Sequence, residues 1–132
     1  MPWAYLQRML KKLTPVLIVD AIEPLLPLWK SLGFQVTVEV PHGDALGFAN
    51  LARDGIEIMY QTRASVREDA KTDVPFGLAA LFIEVDDLDA MAQLLPSGTE
   101  IVVDKRKTFY GSTETIFRDG AGNVITFAQF GT

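Results

Sequence analysis

Few side chains in this 132-residue chain could do chemistry. There is one histidine, His42, and no cysteine. A thiolate nucleophile, a disulfide and a zinc–thiolate site are therefore excluded, and no Ser-His-Asp set is available beyond His42 itself. His42 lies in Pro41-His42-Gly43-Asp44, a turn composition that leaves an imidazole in solvent more readily than on a metal. What remains is Glu57 and Glu84, each a carboxylate on an alternating apolar segment, and a set of aromatics. A carboxylate at such a place has two readings. It can be wet or hydrogen-bonded to a neighbour such as Gln61 or Thr126. It can also bind a cationic or donor group of a ligand, or act as a general base if burial raises its pKa.

The elements that position these groups repeat. Val19-Asp20 recurs as Val85-Asp86, Gly33 as Gly98, and Arg53-Asp54-Gly55 as Arg118-Asp119-Gly120, in one order at a nearly constant offset. Each copy then enters an alternating apolar segment, Ile56 to Gln61 and Val124 to Gln129. A duplicated module is the reading. In the first copy, residues 14–19 form a strand, and Asp20 can cap a helix carrying Ile22, Leu25, Leu26, Trp29 and Leu32, with Gly33 as its stop. Three strands follow, at 35–40, 46–52 and 56–61, the last two joined by Asp54-Gly55, a strong hairpin signal. The second copy repeats the order, with strands at 78–85, 100–104, 112–118 and 124–130. Its helix is capped by Asp86 or Asp87 and carries Leu88, Met91, Leu94 and Leu95.

Residues 63–77, polar and holding Pro75, are the linker, with room for a helical turn at 66–70. Trp3, Leu6, Met9, Leu10 and Leu13 mark one face of a short helix. The organisation expected is an N-terminal helical extension at 1–13, modules at 14–62 and 78–132, and α+β architecture with a curled mixed sheet around a ligand cleft.

Strand alternation assigns sides. Val16 and Ile18, Ile56, Ile58 and Tyr60, Leu81, Ile83 and Val85, and Ile125 and Phe127 are the bulkiest sets and should face the helices. The opposite parity, with Leu13, Pro15 and Leu17, Glu57, Met59 and Gln61, Ala80, Phe82 and Glu84, and Thr126 and Ala128, should face the cleft. Trp29 reads as core.

The net charge of −5 argues against a phosphate-binding face. The basic run Lys105-Arg106-Lys107 reads as a solvated strand edge or loop. No apolar stretch is long enough to span a membrane, residues 1–13 lack the order of a secretory signal, and the absence of Cys fits a cytoplasmic location.

The opening from Val19-Asp20 through Leu32-Gly33-Phe34 resembles the vicinal oxygen chelate superfamily, which includes glyoxalase I, extradiol dioxygenases and bleomycin resistance proteins. The stretch from Phe109-Tyr110-Gly111 through Glu114 to Arg118-Asp119-Gly120-Ala121-Gly122-Asn123 is similar to that family's signature, with Gly120 where Pro is usual. The resemblance covers 14–129 and implies two βαβββ modules, often paired as a homodimer. It also implies a divalent metal held at four positions that here fall on Leu13, Glu57, Ala80 and Thr126. One carboxylate does not make a metal site, so neither metal nor cofactor is expected.

Phe109 and Tyr110 occupy the family's loop beside the pocket, and with Phe48 and Phe82 they suit a flat guest. The function expected is metal-free binding and sequestration of a small aromatic or cationic molecule, of the bleomycin-resistance type. Leu17, Phe48, Glu57, Met59, Gln61, Phe82, Glu84, Phe109, Tyr110 and Thr126 would form the pocket. The rival is a lyase or isomerase of the glyoxalase or dioxygenase type, with Glu57 as base or with an unrecognised metal site. A protein-interaction module is a third possibility, resting on the extra N-terminal helix.

Overall fold

The computed structural model describes residues 9–73 and 76–131. Strand β1 (Val16–Val19) leads through a 3-10 turn (Glu23–Leu25) into helix α1 (Leu26–Ser31), then β2 (Gln35–His42), β3 (Ala45–Arg53) and β4 (Ile56–Thr62). Helix α2 (Arg63–Ala70) follows. The second module is β5 (Ala80–Glu84), α3 (Leu88–Gln93), β6 (Ile101–Lys107), β7 (Ser112–Arg118) and β8 (Val124–Phe130). Each module makes one mixed four-stranded sheet, ordered β1-β4-β3-β2 and β5-β8-β7-β6. The first strand of each is parallel to the last, and the other pairings are antiparallel. The duplication extends to the register. Leu17 sits beside Tyr60 as Ile83 sits beside Phe127, and Leu51 faces Ile58 as Phe117 faces Ile125.

Local chemistry explains the boundaries. Helix α1 ends in a Schellman motif, with Gly33 N–H donating to Lys30 O at 3.0 Å and Phe34 N–H to Trp29 O at 2.9 Å. Gly33 has φ +89°, and a Cβ there would meet the Arg53 guanidinium at 2.9 Å, so the position requires glycine. Asp54 and Gly55 take φ +51° and +78°, the positive pair that a tight two-residue hairpin turn needs. Asp87 caps α3, accepting from Ala90 N–H at 3.0 Å.

Several expectations are corrected. Asp20 does not cap the first helix, because Pro24 and Pro27 spread its start over a 3-10 turn and the capping position falls on Ile22 without a side-chain bond. The linker carries a full helix, α2, capped by Thr62. Positions 9–13 have no regular structure, and the rest of the expected N-terminal helix lies outside the described residues. The side assignment of β1 is reversed. Leu17 and Val19 are buried at 2% and 3% exposure, whereas Val16 is 46% exposed. Parallel pairing puts Leu17 level with Tyr60 on the helix face, so Leu17 belongs to the core and not to a pocket.

Both modules contribute to one core, in which Leu17, Trp29, Leu51, Ile58 and Tyr60 meet Phe117, Ile125 and Phe127. A polar thread crosses it. Trp29 Nε1 donates to the Tyr60 hydroxyl at 2.8 Å, and that hydroxyl donates to Asp119 Oδ2 at 2.8 Å. Asp119 also accepts from the backbone N–H groups of Ala121 and Asn123, and from Asn123 Nδ2. Asn123 Oδ1 accepts from Ala79 N–H at 2.7 Å, at the start of β5. Burial, and then the Asp119 charge, raise the Tyr60 pKa above the normal phenol value.

Tyr60→Phe leaves the Trp29 N–H unpaired and takes one donor from a buried carboxylate. The expected cost is about 1–3 kcal/mol in denaturant unfolding. Because the folded-state pKa of Tyr60 is raised, its contribution is whole below the normal phenol pKa of about 10. That contribution is lost as pH rises beyond it. The variant should therefore show a shallower alkaline loss of stability than the parent.

Candidate functional site

Alternation leaves each sheet with one face packed on the helices and one open face. On the first sheet, the open face carries Val16 and Ile18 from β1, Glu57, Met59 and Gln61 from β4, and Phe48 and Asn50 from β3. On the second, it carries Phe82 and Glu84 from β5, Thr126, Ala128 and Phe130 from β8, and Ser112, Glu114 and Ile116 from β7. The expected residues other than Leu17 thus fall into two groups, one per sheet, with Phe109 and Tyr110 on the loop between β6 and β7. At the seam of the modules, Lys12, Leu13, Pro15 and Glu57 share a shallow hollow with Leu81 and Phe82.

The first group centres on Glu57. One of its oxygens accepts from Asn50 Nδ2 at 2.8 Å, and the other is paired with Lys12. Lys12 first, and then Asn50, lower the Glu57 pKa. Of the two readings of this carboxylate, the structure has the hydrogen-bonded one, with Asn50 and Lys12 as its partners in place of Gln61 or Thr126. Asn50 is 4% exposed and spends its amide hydrogens on Thr37 and Glu57.

The register also tests the family's metal positions. Thr126 lies level with Phe82 as Met59 lies level with Val16. Met59, not Glu57, is therefore the first-module counterpart of Thr126. Neither the expected Leu13, Glu57, Ala80 and Thr126 nor the register-matched Thr14, Met59, Ala80 and Thr126 is a ligand set for a divalent ion, and among the described residues no three His, Cys, Asp or Glu side chains gather as one. The residues present do not fit the metal that the fold family implies. His42, at the end of β2, is bound to Glu68 of α2 at 2.5 Å.

The second group is an aromatic array. Phe82 and Phe130 have centroids 6.3 Å apart, Phe130 and Tyr110 6.4 Å, and Tyr110 and Phe109 5.1 Å. All four are exposed, at 55%, 42%, 44% and 100% in the order Phe82, Phe130, Tyr110, Phe109. Phe130 was not foreseen as a member, although it continues the parity of Thr126 and Ala128. Beneath the array, Glu114 is 1% exposed. It accepts from the Tyr110 hydroxyl at 2.5 Å, from Ser112 Oγ at 2.9 Å and from Arg106 Nη2 at 3.0 Å. Burial works to raise its pKa, but these three donors outweigh burial and the net direction is downward.

Sequence reasoning missed Glu114 as a site residue. The signal was its even spacing from Ser112 and Ile116, beside a neighbouring strand carrying Arg106. The basic run is likewise more than a solvated edge, because Arg106 serves Glu114 and Lys105 pairs with Asp89 at 2.9 Å.

Since the folded-state pKa of Glu114 is depressed, its contribution to stability is whole above the normal carboxylate value and is lost as pH falls through the lowered one. Glu114→Gln should flatten the acid limb of a stability–pH profile. An unchanged limb would mean that the cluster does not form.

The comparisons agree with this geometry. The model of the Glyoxalase/Bleomycin resistance protein/Dioxygenase superfamily matches residues 13–127. A search of curated proteins gives no sequence match. Similar solved structures include TnmS3, an antibiotic binding protein from Streptomyces sp. CB03234, at 20% identity, with 94% of this chain and 100% of that one covered and a TM-score of 0.63. TioX from Micromonospora sp. ML1 is 18% identical over 90% and 99% of the two chains, with a TM-score of 0.69. A glyoxalase/bleomycin resistance protein/dioxygenase from Nocardioides is 15% identical over 97% and 89%, with a TM-score of 0.72. At these identities the likeness is one of fold, while the family model spans most of the sequence. The chain belongs to the glyoxalase/bleomycin resistance protein/dioxygenase superfamily, also known as the vicinal oxygen chelate superfamily.

Proposed function

We propose that this protein binds and sequesters a small, flat aromatic molecule without the help of a metal, in the manner of the bleomycin resistance branch of its family. The observation that carries this reading is the aromatic array. Four rings in succession are held open on one sheet face, where burying them against a guest would remove a large apolar surface from water. The similarity to an antibiotic binding protein supports the same reading. A cationic guest has less support than the sequence suggested, because the Glu57 charge is met by Lys12 and that of Glu114 by Arg106. Glu84 remains as the acidic group on the open face, without an ion pair among the described residues.

The lyase or isomerase alternative has two forms, an unrecognised metal site or Glu57 as a base. The lowered pKa of Glu57 and its two hydrogen-bond partners make it a poor base.

The face of the first sheet differs in kind. Val16, Val38 and Val40 are 46%, 46% and 48% exposed, an apolar surface on which the half-buried Phe48 is the aromatic ring rather than one of an array. The homodimer expected for the family is part of this proposal, with a second copy covering these valines. Among the described residues no helix is long and apolar enough to cross a membrane.

Isothermal titration against neutral conjugated compounds should give binding that survives treatment with a metal chelator. Phe82→Ala should weaken that binding by about 1 kcal/mol through lost ring contact. Binding that vanishes with chelation would favour metal chemistry instead. Sedimentation at micromolar concentration should show a dimer that Val38→Lys converts to monomer. A monomeric parent would remove the second copy from the proposal.

A further inference from the structure

The buried carboxylate and its arginine point to the polar end of the guest. Glu114 is closed to a ligand. Its Oε2 is filled by Tyr110 and Ser112, and its Oε1 by Arg106 Nη2 at 3.0 Å and Nε at 3.3 Å. Arg106 is not closed. It is half exposed, and among the described residues its Nη1 makes no hydrogen bond. The Tyr110 hydroxyl and the Arg106 guanidinium occupy the two oxygens of one carboxylate. A fixed guanidinium edge with spare donors therefore stands beside the ring that forms the middle of the aromatic array.

Glu84 is the acidic group on the same face that could repel an anion. The registers Glu84–Ala128, Ala128–Glu114 and Glu114–Arg106 put it at the far end of one cross-strand row. That is three strand spacings, about 14 Å at roughly 4.8 Å each, beyond the screening length of about 8 Å at physiological salt.

We propose that Arg106, braced by Glu114, receives an anionic oxygen of the guest, so that the preferred ligand is a flat aromatic carrying a carboxylate or an ionised phenol. The guanidinium fork suits such an oxygen pair, and its alignment by Glu114 leaves little side-chain freedom to be lost on binding. This inference rests on the aromatic-binding reading and adds the chemistry at one end of the molecule. It departs from the cationic guest that net charge alone would favour.

The test compares 2-naphthoate with 2-naphthalenemethanol by calorimetric titration at neutral pH, two probes of nearly the same shape that differ in charge. The parent should bind the acid about tenfold or more tightly than the alcohol. Arg106→Gln should abolish the preference, so that acid and alcohol bind alike, and Arg106→Lys should restore part of it. Should Arg106→Gln unfold because Glu114 is left buried without its cation, the double variant Arg106→Gln/Glu114→Gln removes both charges and allows the same comparison. Equal binding of the two probes by the parent overturns the role of Arg106 and leaves the aromatic site standing. A preference that persists without Arg106 overturns it too. Failure of the parent to bind either probe overturns the aromatic site itself.

Discussion

The structure depends on the buried thread from Trp29 through Tyr60 and Asp119 to Asn123 and the Ala79 backbone. Helices α1 and α3 have six residues each, too few for either to cover a four-stranded sheet. The two modules instead bury their helix faces in one shared core. An apolar core of this kind tolerates sliding, whereas a hydroxyl–carboxylate bond of 2.8 Å between the modules does not. The Arg-Asp-Gly-x-Gly-Asn signature therefore has a structural task here. Asp119 and Asn123 are 5% and 2% exposed, and their polar atoms are turned inward, where they fix the β7–β8 turn against the first module. Fixing one module on the other also fixes where the two open faces meet.

What could be read from the sequence follows from how strongly each segment constrains itself. Asp54-Gly55 and the helix-ending Gly33 were legible because few residues take positive φ, whereas in the second copy the left-handed residue of the turn is Gly122 and not Gly120. The parity of β5 and β8 was legible because Glu84 and Thr126 interrupt their apolar alternation. The parity of β1 was not. Val16-Leu17-Ile18-Val19 is apolar on both sides, and only its parallel register with β4 decides that Leu17 enters the core. Strand β7 hides its information for the opposite reason. Ser112, Thr113, Glu114 and Thr115 are all polar, so no apolar alternation marks an inner face, and the burial of Glu114 becomes evident only when the preceding strand and loop fold Arg106 and Tyr110 back onto it.

Electrostatics ties these local features to the family. The resemblance implies, for the metal-dependent members, a divalent ion held at the first and last strands of each module. Here each of the two engaged carboxylates has a protein cation, Lys12 for Glu57 and Arg106 for Glu114. A carboxylate as buried as Glu114 needs such compensation, or it would take up a proton. The substitution changes what the face can do. A metal offers open coordination positions to a reacting oxygen, whereas a guanidinium offers only donors, which hold an oxygen in place.

The same clamp affects the cost of binding. Free aromatic side chains on a surface lose rotamer freedom when a guest orders them, and that loss subtracts from affinity. Tyr110 has already lost it, because its hydroxyl is bound to a carboxylate that is itself held by Ser112 and Arg106. Its neighbours are inclined to it and to one another, by 42° for Tyr110 and Phe130 and by 51° for Phe130 and Phe82. Inclined rings at centroid distances above 6 Å do not stack on each other, so their faces stay open to a third aromatic body. A flat guest would meet surfaces that are apolar, oriented and unspent, beside the spare donors of the Arg106 guanidinium.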